Sequence, residues 1–194
     1  MPGSSLWLLP PPSSPLNSLL TSLIAQTSSH FSSPHLFIPH VTLTSSISPS
    51  TYASDPQAWL DSLPLPPSSS VSVTFGELES RDIFVQKLFI LVKKDGVKEL
   101  GKVCRRVVNG YDDKDGLGAE KWAEDEYMSH LSLLYHDCPV LSPPDISTIE
   151  NLVLKAGVSL EGKGELGGWT GGKVVLVATD KPIEDWAPIA ERTL

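Results

Sequence analysis

Apolar residues recur along this chain with two different periods, and the switches between them mark out its elements. Ser5 to Leu9 is a short apolar run of strand length. Leu16, Leu19, Leu20, Leu23 and Ile24 then fall at i, i+3, i+4, i+7 and i+8, one apolar stripe on a helix. Ser14 offers an N-cap hydroxyl, and Pro15 suits a first helical position that needs no N–H. Leu36 to Thr44 reads as a strand interrupted by Pro39, and Asp55-Pro56 opens a helix carrying Ala58, Trp59, Leu60 and Leu63. Pro64 to Ser70 is a loop by composition.

The second half repeats the alternation with more charge. Val71, Val73 and Phe75 predict a strand, and Ile83 to Val92 a longer one. After a turn at Asp95-Gly96, a helix from Val97 carries Leu100, Val103, Cys104, Val107 and Val108 on one face. An acidic loop around Asp112 to Asp115 leads to a strand from Met128 to Tyr135. Ser142-Pro-Pro-Asp145 is a capping-box pattern opening a helix through Ile149, Leu152, Val153 and Ala156. Gly162 to Gly172 is a loop, and Lys173 to Ala178 is the last clear strand. Elements alternate irregularly, without the long crossovers of a parallel sheet. The expected fold class is therefore α+β with antiparallel sheets, in one domain over 1–194.

Charge narrows the partners. The formal net charge is −8, and no Lys or Arg precedes Arg81. A long nucleic acid needs clustered cations, so none is expected, whereas a small anion held by directed hydrogen bonds fits. The N-terminus lacks the positive charge of a signal or transit peptide, and no apolar run reaches membrane-span length. A soluble, intracellular, cytoplasmic monomer is the expectation. Cys104 and Cys138 suggest neither a disulfide framework nor a zinc site. Gly162-Lys-Gly-Glu-Leu-Gly167 spells a dinucleotide-type glycine pattern, but it leads into a strand rather than opening a helix. The spacing from Gly167 to Lys173 suggests a phosphate loop, yet Val174 follows where a hydroxyl is needed. An acidic Asp113-Lys-Asp115-Gly116 turn lacks the terminal ligands of a calcium loop.

One constellation survives. Of the five histidines, His30 and His35 lie in a Ser/Pro loop and His136 near a strand end, all expected in solvent. His40 and His130 instead head the same pattern, His-apolar-hydroxyl-apolar, as His40-Val-Thr42-Leu and His130-Leu-Ser132-Leu. On a strand, residues i and i+2 share a face. Each segment thus presents an imidazole beside a neutral hydroxyl, with Val41, Leu43, Leu131 and Leu133 packed behind. Two imidazoles and two hydroxyls facing one phosphorus suit hydrolysis of a strained cyclic phosphodiester. One neutral ring takes a proton from water and one charged ring protonates the departing oxygen, while the hydroxyls donate to the non-bridging oxygens. This chemistry asks for no metal and no cofactor.

A pair of such motifs about ninety residues apart, in a chain of this length, resembles the 2H phosphoesterase superfamily. Tyr127-Met-Ser-His130-Leu-Ser132-Leu-Leu-Tyr135 is similar to the second motif of its 2′,3′-cyclic-nucleotide phosphodiesterase branch. Ser5-Leu-Trp7-Leu-Leu-Pro and Gly168-Trp169-Thr-Gly-Gly-Lys-Val resemble the fungal members. The resemblance implies two pseudo-symmetric lobes, each an antiparallel sheet with flanking helices, around a water-filled cleft. It also implies cleavage of the 3′ P–O bond to leave a nucleoside 2′-phosphate, with ADP-ribose 1″,2″-cyclic phosphate as a further substrate. Golgi association follows from the same likeness to fungal relatives. The implied catalytic pair is His40 and His130, with Thr42 and Ser132 on the phosphate and Tyr135 lining the pocket. Period two from His130 turns Tyr135 the other way unless a bulge re-aims it. Ser129 stands where plant relatives carry proline, which Pro39 keeps in the first motif. Trp169 either stacks on a base or covers the core, and Trp7, Trp59, Trp122 and Trp186 are read as packing. Action on an RNA terminus, with Arg105 and Arg106 in a basic patch, and a binding module without turnover are the alternatives.

Overall fold

Eight strands among the described residues join edge to edge, every neighbouring pair antiparallel. They are β1 (Ser4–Leu9), β2 (Val41–Ile47), β3 (Ser72–Glu79), β4 (Leu88–Val92), β5 (His130–Leu134), β6 (Gly168–Thr170), β7 (Lys173–Ala178) and β8 (Pro188–Thr193). The order across the sheet is β6-β3-β4-β5-β2-β1-β7-β8. The structure, a computed structural model, describes residues 3–194. The α+β class is as expected. The sheet, however, is one curled surface rather than two separate ones, because β2 and β5 pair at Val41–Leu131 and join the two groups of four strands.

Six helices are described: α1 (Leu16–His30), α2 (Pro49–Tyr52), α3 (Pro56–Ser62), α4 (Lys98–Arg105), α5 (Leu117–Asp125) and α6 (Pro143–Lys155). Their starts follow local chemistry. The Ser14 hydroxyl accepts the Leu16 N–H at 3.3 Å, and Asp55 Oδ1 accepts the Ala58 N–H at 2.9 Å. Ser142 and Asp145 form a reciprocal capping box. The stripe Leu16, Leu20, Leu23 and Ile24 is buried, as are Leu100 and Cys104 of α4 and Ile149 and Val153 of α6. Together they cover Leu6, Leu8, Val41, Leu43, Leu131 and Leu133 on one face of the sheet. The packing crosses the junction: α1, which follows β1, lies on β5, whereas α4, which follows β4, lies on β2.

Departures from the sequence pattern have local causes. The run from Ile83 becomes strand only at Leu88, because Phe84–Gln86 forms a tight 3₁₀ turn. Two polar attachments hold that turn: the Val85 carbonyl accepts from Ser132 Oγ, and buried Lys87 donates to Asp82 and to the Cys138 carbonyl. Residues 33–40 belong to no strand, as befits Pro39, which has no N–H to give. The helix begun near Val97 ends at Arg105, leaving Val107 outside it. Helix α5 escaped the pattern because its buried contacts are only Ala119 and Ala123. Strand β8 escaped it because it is an edge strand whose one buried residue is Ala190.

The junction carries a stability prediction. Leu131 is fully buried directly opposite Val41. Leu131→Ala should lower unfolding free energy by about 3 kcal/mol in urea titration, the usual scale for a core Leu→Ala cavity. A loss near zero would mean that the β2–β5 contact is not part of the core.

Candidate active site

The register at the junction assembles the four motif residues. With Val41 opposite Leu131 in an antiparallel pair, one step either way sets His40 against Ser132 and Thr42 against His130. Each imidazole thus faces the hydroxyl of the other motif. All four lie on the face opposite the helices, because Val41, Leu43, Leu131 and Leu133 point into the helix-covered core. Trp7, paired with Thr42, and Phe89, paired with Ser132, share that outer face.

Local geometry fixes the two rings alike. His40 Nδ1 lies 2.6 Å from the carbonyl oxygen of Ile38, and His130 Nδ1 lies 2.9 Å from that of Met128. A carbonyl only accepts, so Nδ1 carries the proton in both rings and Nε2 is left bare. Pro39 and Ser129 occupy the intervening positions. Proline holds Ile38 extended in the first motif. In the second, Ser129 is pinned instead: its hydroxyl donates to the Val92 carbonyl at 2.9 Å while the Val92 N–H donates to Ser129 O at 3.1 Å. Serine therefore replaces proline by tethering β5 to β4.

A register shift follows each hydroxyl. Against β1, β2 passes from Thr42–Trp7 to Thr44–Leu6, and against β4, β5 passes from Ser132–Phe89 to Leu134–Leu88. One residue, Leu43 or Leu133, is inserted each time, which breaks the two-residue period and increases local twist. Leu133 and Leu134 both enter the core as a result, and Tyr135 turns back to the site face. Its hydroxyl stands 3.5 Å from His40 Nε2, and its ring stacks on Phe37 with centroids 3.8 Å apart. The bulge does re-aim it.

Aromatic rings enclose the imidazoles. Trp7 stacks on His40 at 3.7 Å and 9°, and Phe89 meets His130 edge-on at 5.1 Å. Only 5% of His40 is exposed, whereas His130 is partly open. Burial pushes the His40 pKa from its ordinary 6.5 down to about 4, outweighing the Ile38 carbonyl, which favours the charged ring; the charge of His130 adds to the depression. His130 is also lowered, first by burial and further by the Arg81 guanidinium, against the opposing pull of the Met128 carbonyl. In the unliganded protein both rings are therefore neutral at pH 7. Thr42 and His130 border a hollow of about 150 Å³ with Gln86 and Tyr127. The Ser132 hydroxyl donates to the Val85 carbonyl at 2.8 Å.

All five expected site residues thus meet on one face. Several neighbours were not singled out from sequence. Trp7 is packing, as read, but packing against His40 itself. Phe37, Phe89 and Arg81, whose guanidinium lies 5.7 Å over the Phe89 ring, had no comparable signal. Trp169 covers the core against Phe75 and lies away from the histidines. Its neighbourhood contains a larger hollow of about 690 Å³ between the glycine loop and the start of α1, with neither histidine in its lining. His35 is half-buried against Phe84 rather than free in solvent, and the His136 ring accepts the Cys138 N–H at 2.7 Å. The Arg105 guanidinium lies 4.0 Å from the Tyr111 ring centre and 4.6 Å from that of Trp122, and it donates to Thr44. Among the described residues, no group of three or more His, Cys, Asp or Glu could hold a metal ion. No described helix is long and apolar enough to cross a membrane.

An antiparallel sheet that sets two histidines and two hydroxyls against one another across its central strands defines a phosphoesterase of the two-histidine kind. The chain belongs to the family described as cyclic phosphodiesterase-like protein, whose profile matches residues 1–194. It is 54% identical over 195 residues to the 2′,3′-cyclic-nucleotide 3′-phosphodiesterase of Phaeosphaeria nodorum and 44% identical over 213 residues to that of Neurospora crassa, with all of each chain covered. The enzyme of the same name from Yarrowia lipolytica is 28% identical over 218 residues, covering 98% of this chain and 99% of its own.

The buried neutral His40 predicts acid sensitivity. Its folded pKa of about 4 lies below its unfolded value of 6.5, so the unfolded chain binds the proton first as pH falls. Stability from this group is complete above pH 6.5 and declines between 6.5 and 4 by about 3 kcal/mol. Urea midpoints of the wild type should fall more steeply over that window than those of His40→Gln. Parallel slopes would show that His40 titrates normally in the folded protein.

Proposed function

We propose that the protein hydrolyses 2′,3′-cyclic nucleotides to nucleoside 2′-phosphates by paired-histidine acid–base catalysis. The supporting observation is that both bare Nε2 atoms sit on one face, each ring opposite the other motif's hydroxyl. Because either ring can accept a proton at Nε2, the pair can serve an in-line displacement from both sides of phosphorus. Water attacks phosphorus and yields its proton to one Nε2. The P–O3′ bond breaks, and the other ring, protonated at Nε2, gives its proton to O3′. Each ring then holds the other's starting state, and one proton exchange with solvent resets them. Since burial keeps both rings neutral in the free protein, the substrate's anionic phosphate favours uptake of the working proton.

Thr42 and Ser132 donate to the non-bridging oxygens as charge grows on them. Ser132 releases the Val85 carbonyl to do so, while Tyr135, beside His40 Nε2, lines the pocket and orders the ring. The names of the fungal relatives support this substrate class. ADP-ribose 1″,2″-cyclic phosphate presents the same five-membered cyclic diester on a ribose and fits the same steps, which makes the enzyme a scavenger of that tRNA-splicing by-product. The histidines and hydroxyls account for each proton and each developing charge, so turnover proceeds without a metal.

With 2′,3′-cyclic AMP in excess EDTA, the wild type should release adenosine 2′-phosphate. His40→Ala and His130→Ala should each lower kcat at least ~100-fold, and Thr42→Ala and Ser132→Ala should raise the barrier by about 2–4 kcal/mol. Near-normal turnover in either histidine variant removes that residue from the mechanism. Saturable binding without product would instead support a binding module. The pH profile of kcat/KM should be bell-shaped with both limbs below the ordinary imidazole value of 6.5, since both free-enzyme pKa values are depressed. A flat profile from pH 5 to 8 would contradict shared proton work.

A further inference from the structure

His40 is positively charged at one stage of the proposed cycle whichever proton role it takes, because a base gains a proton and an acid begins with one. That charge has few partners. The ring is almost wholly buried, so water reaches little of it. Among the described residues no carboxylate forms an ion pair with it. The ionisable groups that face it are His130 of β5, whose own charge repels it, and the Tyr135 hydroxyl, 3.5 Å from Nε2. The Ile38 carbonyl, 2.6 Å from Nδ1, supports one end of the ring. His130 differs, since it is partly open to water.

The remaining contact is Trp7 of β1. Its indole lies flat on the imidazole, with centroids 3.7 Å apart and planes 9° from parallel, which sets an electron-rich face against the ring that takes the charge. The indole is held on every side. Trp7 pairs with Thr42 of β2 and Val175 of β7, Val175 and Val177 share its apolar cluster, and Trp186 meets it edge-on at 5.8 Å. Packing alone does not ask for tryptophan here. Trp7 Nε1 is buried and meets no acceptor among the described residues, and an unmade hydrogen bond costs stability that phenylalanine or leucine would not lose. What the indole adds over those side chains is the strongest attraction of any ring face for a cation.

We infer that Trp7 is a positioning residue for the reaction: its indole face holds the His40 imidazole in place and sustains its positive charge while it carries the working proton. The assignment rests on the proposed proton work of His40 and adds the group that makes a charge tolerable in so closed a place. An aliphatic wall would exclude water equally and give the charge nothing in return.

Fluorine tests the face without disturbing the packing, because it withdraws electron density from the indole at little cost in size. Replacing all five tryptophans with singly and then doubly fluorinated analogues should lower kcat on 2′,3′-cyclic AMP about two- to threefold per fluorine, with KM nearly unchanged. In Trp7→Phe, labelling the remaining tryptophans should produce no such series. Trp7→Leu should lower kcat about tenfold and move one limb of the kcat/KM pH profile about one unit lower while the other limb stays, with Trp7→Phe between it and the wild type. A wild-type kcat indifferent to fluorine, an equal fall in Trp7→Phe, or a wild-type pH profile in Trp7→Leu would overturn the role of Trp7 and leave the activity standing. Failure of the unlabelled wild type to turn over would instead overturn the activity, and the role of Trp7 with it.

Discussion

A single backbone pairing, Val41 with Leu131, governs where the chemistry of this protein can occur. It joins two groups of four strands into one sheet, and its antiparallel register sets each histidine across from the other motif's hydroxyl. A slip of one residue would turn the slipped strand's histidine and hydroxyl into the helix-covered core, where neither would find partners. The apolar residues between and beyond the polar ones oppose that slip. Val41, Leu43, Leu131 and Leu133 are fully buried, so the same alternation that builds the core also holds the site on the open face.

Helices reinforce the junction by crossing it. Because α1 lies on β5 and α4 on β2, each strand that carries a motif is backed by a helix from the other part of the chain. Separating the two groups of strands would expose both helix stripes together. The site thus borrows its rigidity from the core behind it. Its own walls are aromatic, and enclosure by Trp7, Phe37, Tyr135 and Phe89 accounts for imidazoles that stay neutral near physiological pH.

The motif residues were legible in the sequence because their period-two spacing agrees with the strands that carry them. Helices α1, α3 and α6 were legible for a similar reason, through apolar stripes and cap residues that act locally. Tyr135 was not. Its orientation depends on a bulge at Leu133 that exists only in the register with β4, and sequence spacing alone gives the opposite parity. The aromatic neighbours were hidden in the same way: Trp7 lies in the unbroken apolar run Leu6 to Leu9, which marks no face, and Trp186 sits just ahead of an exposed edge strand with almost no apolar pattern. The antiparallel sheets expected from the resemblance are two groups of four strands, which the single pair Val41–Leu131 makes continuous.

The tautomers of the two histidines test this account most directly. Nitrogen-15 NMR of the imidazoles at pH 7 should show both rings protonated at Nδ1 and bare at Nε2 in the free protein. Adding adenosine 2′-phosphate should shift both Nε2 resonances together. An Nε2–H tautomer on either ring, or a response from one ring alone, would contradict the claim that the junction aims two imidazoles at one phosphorus.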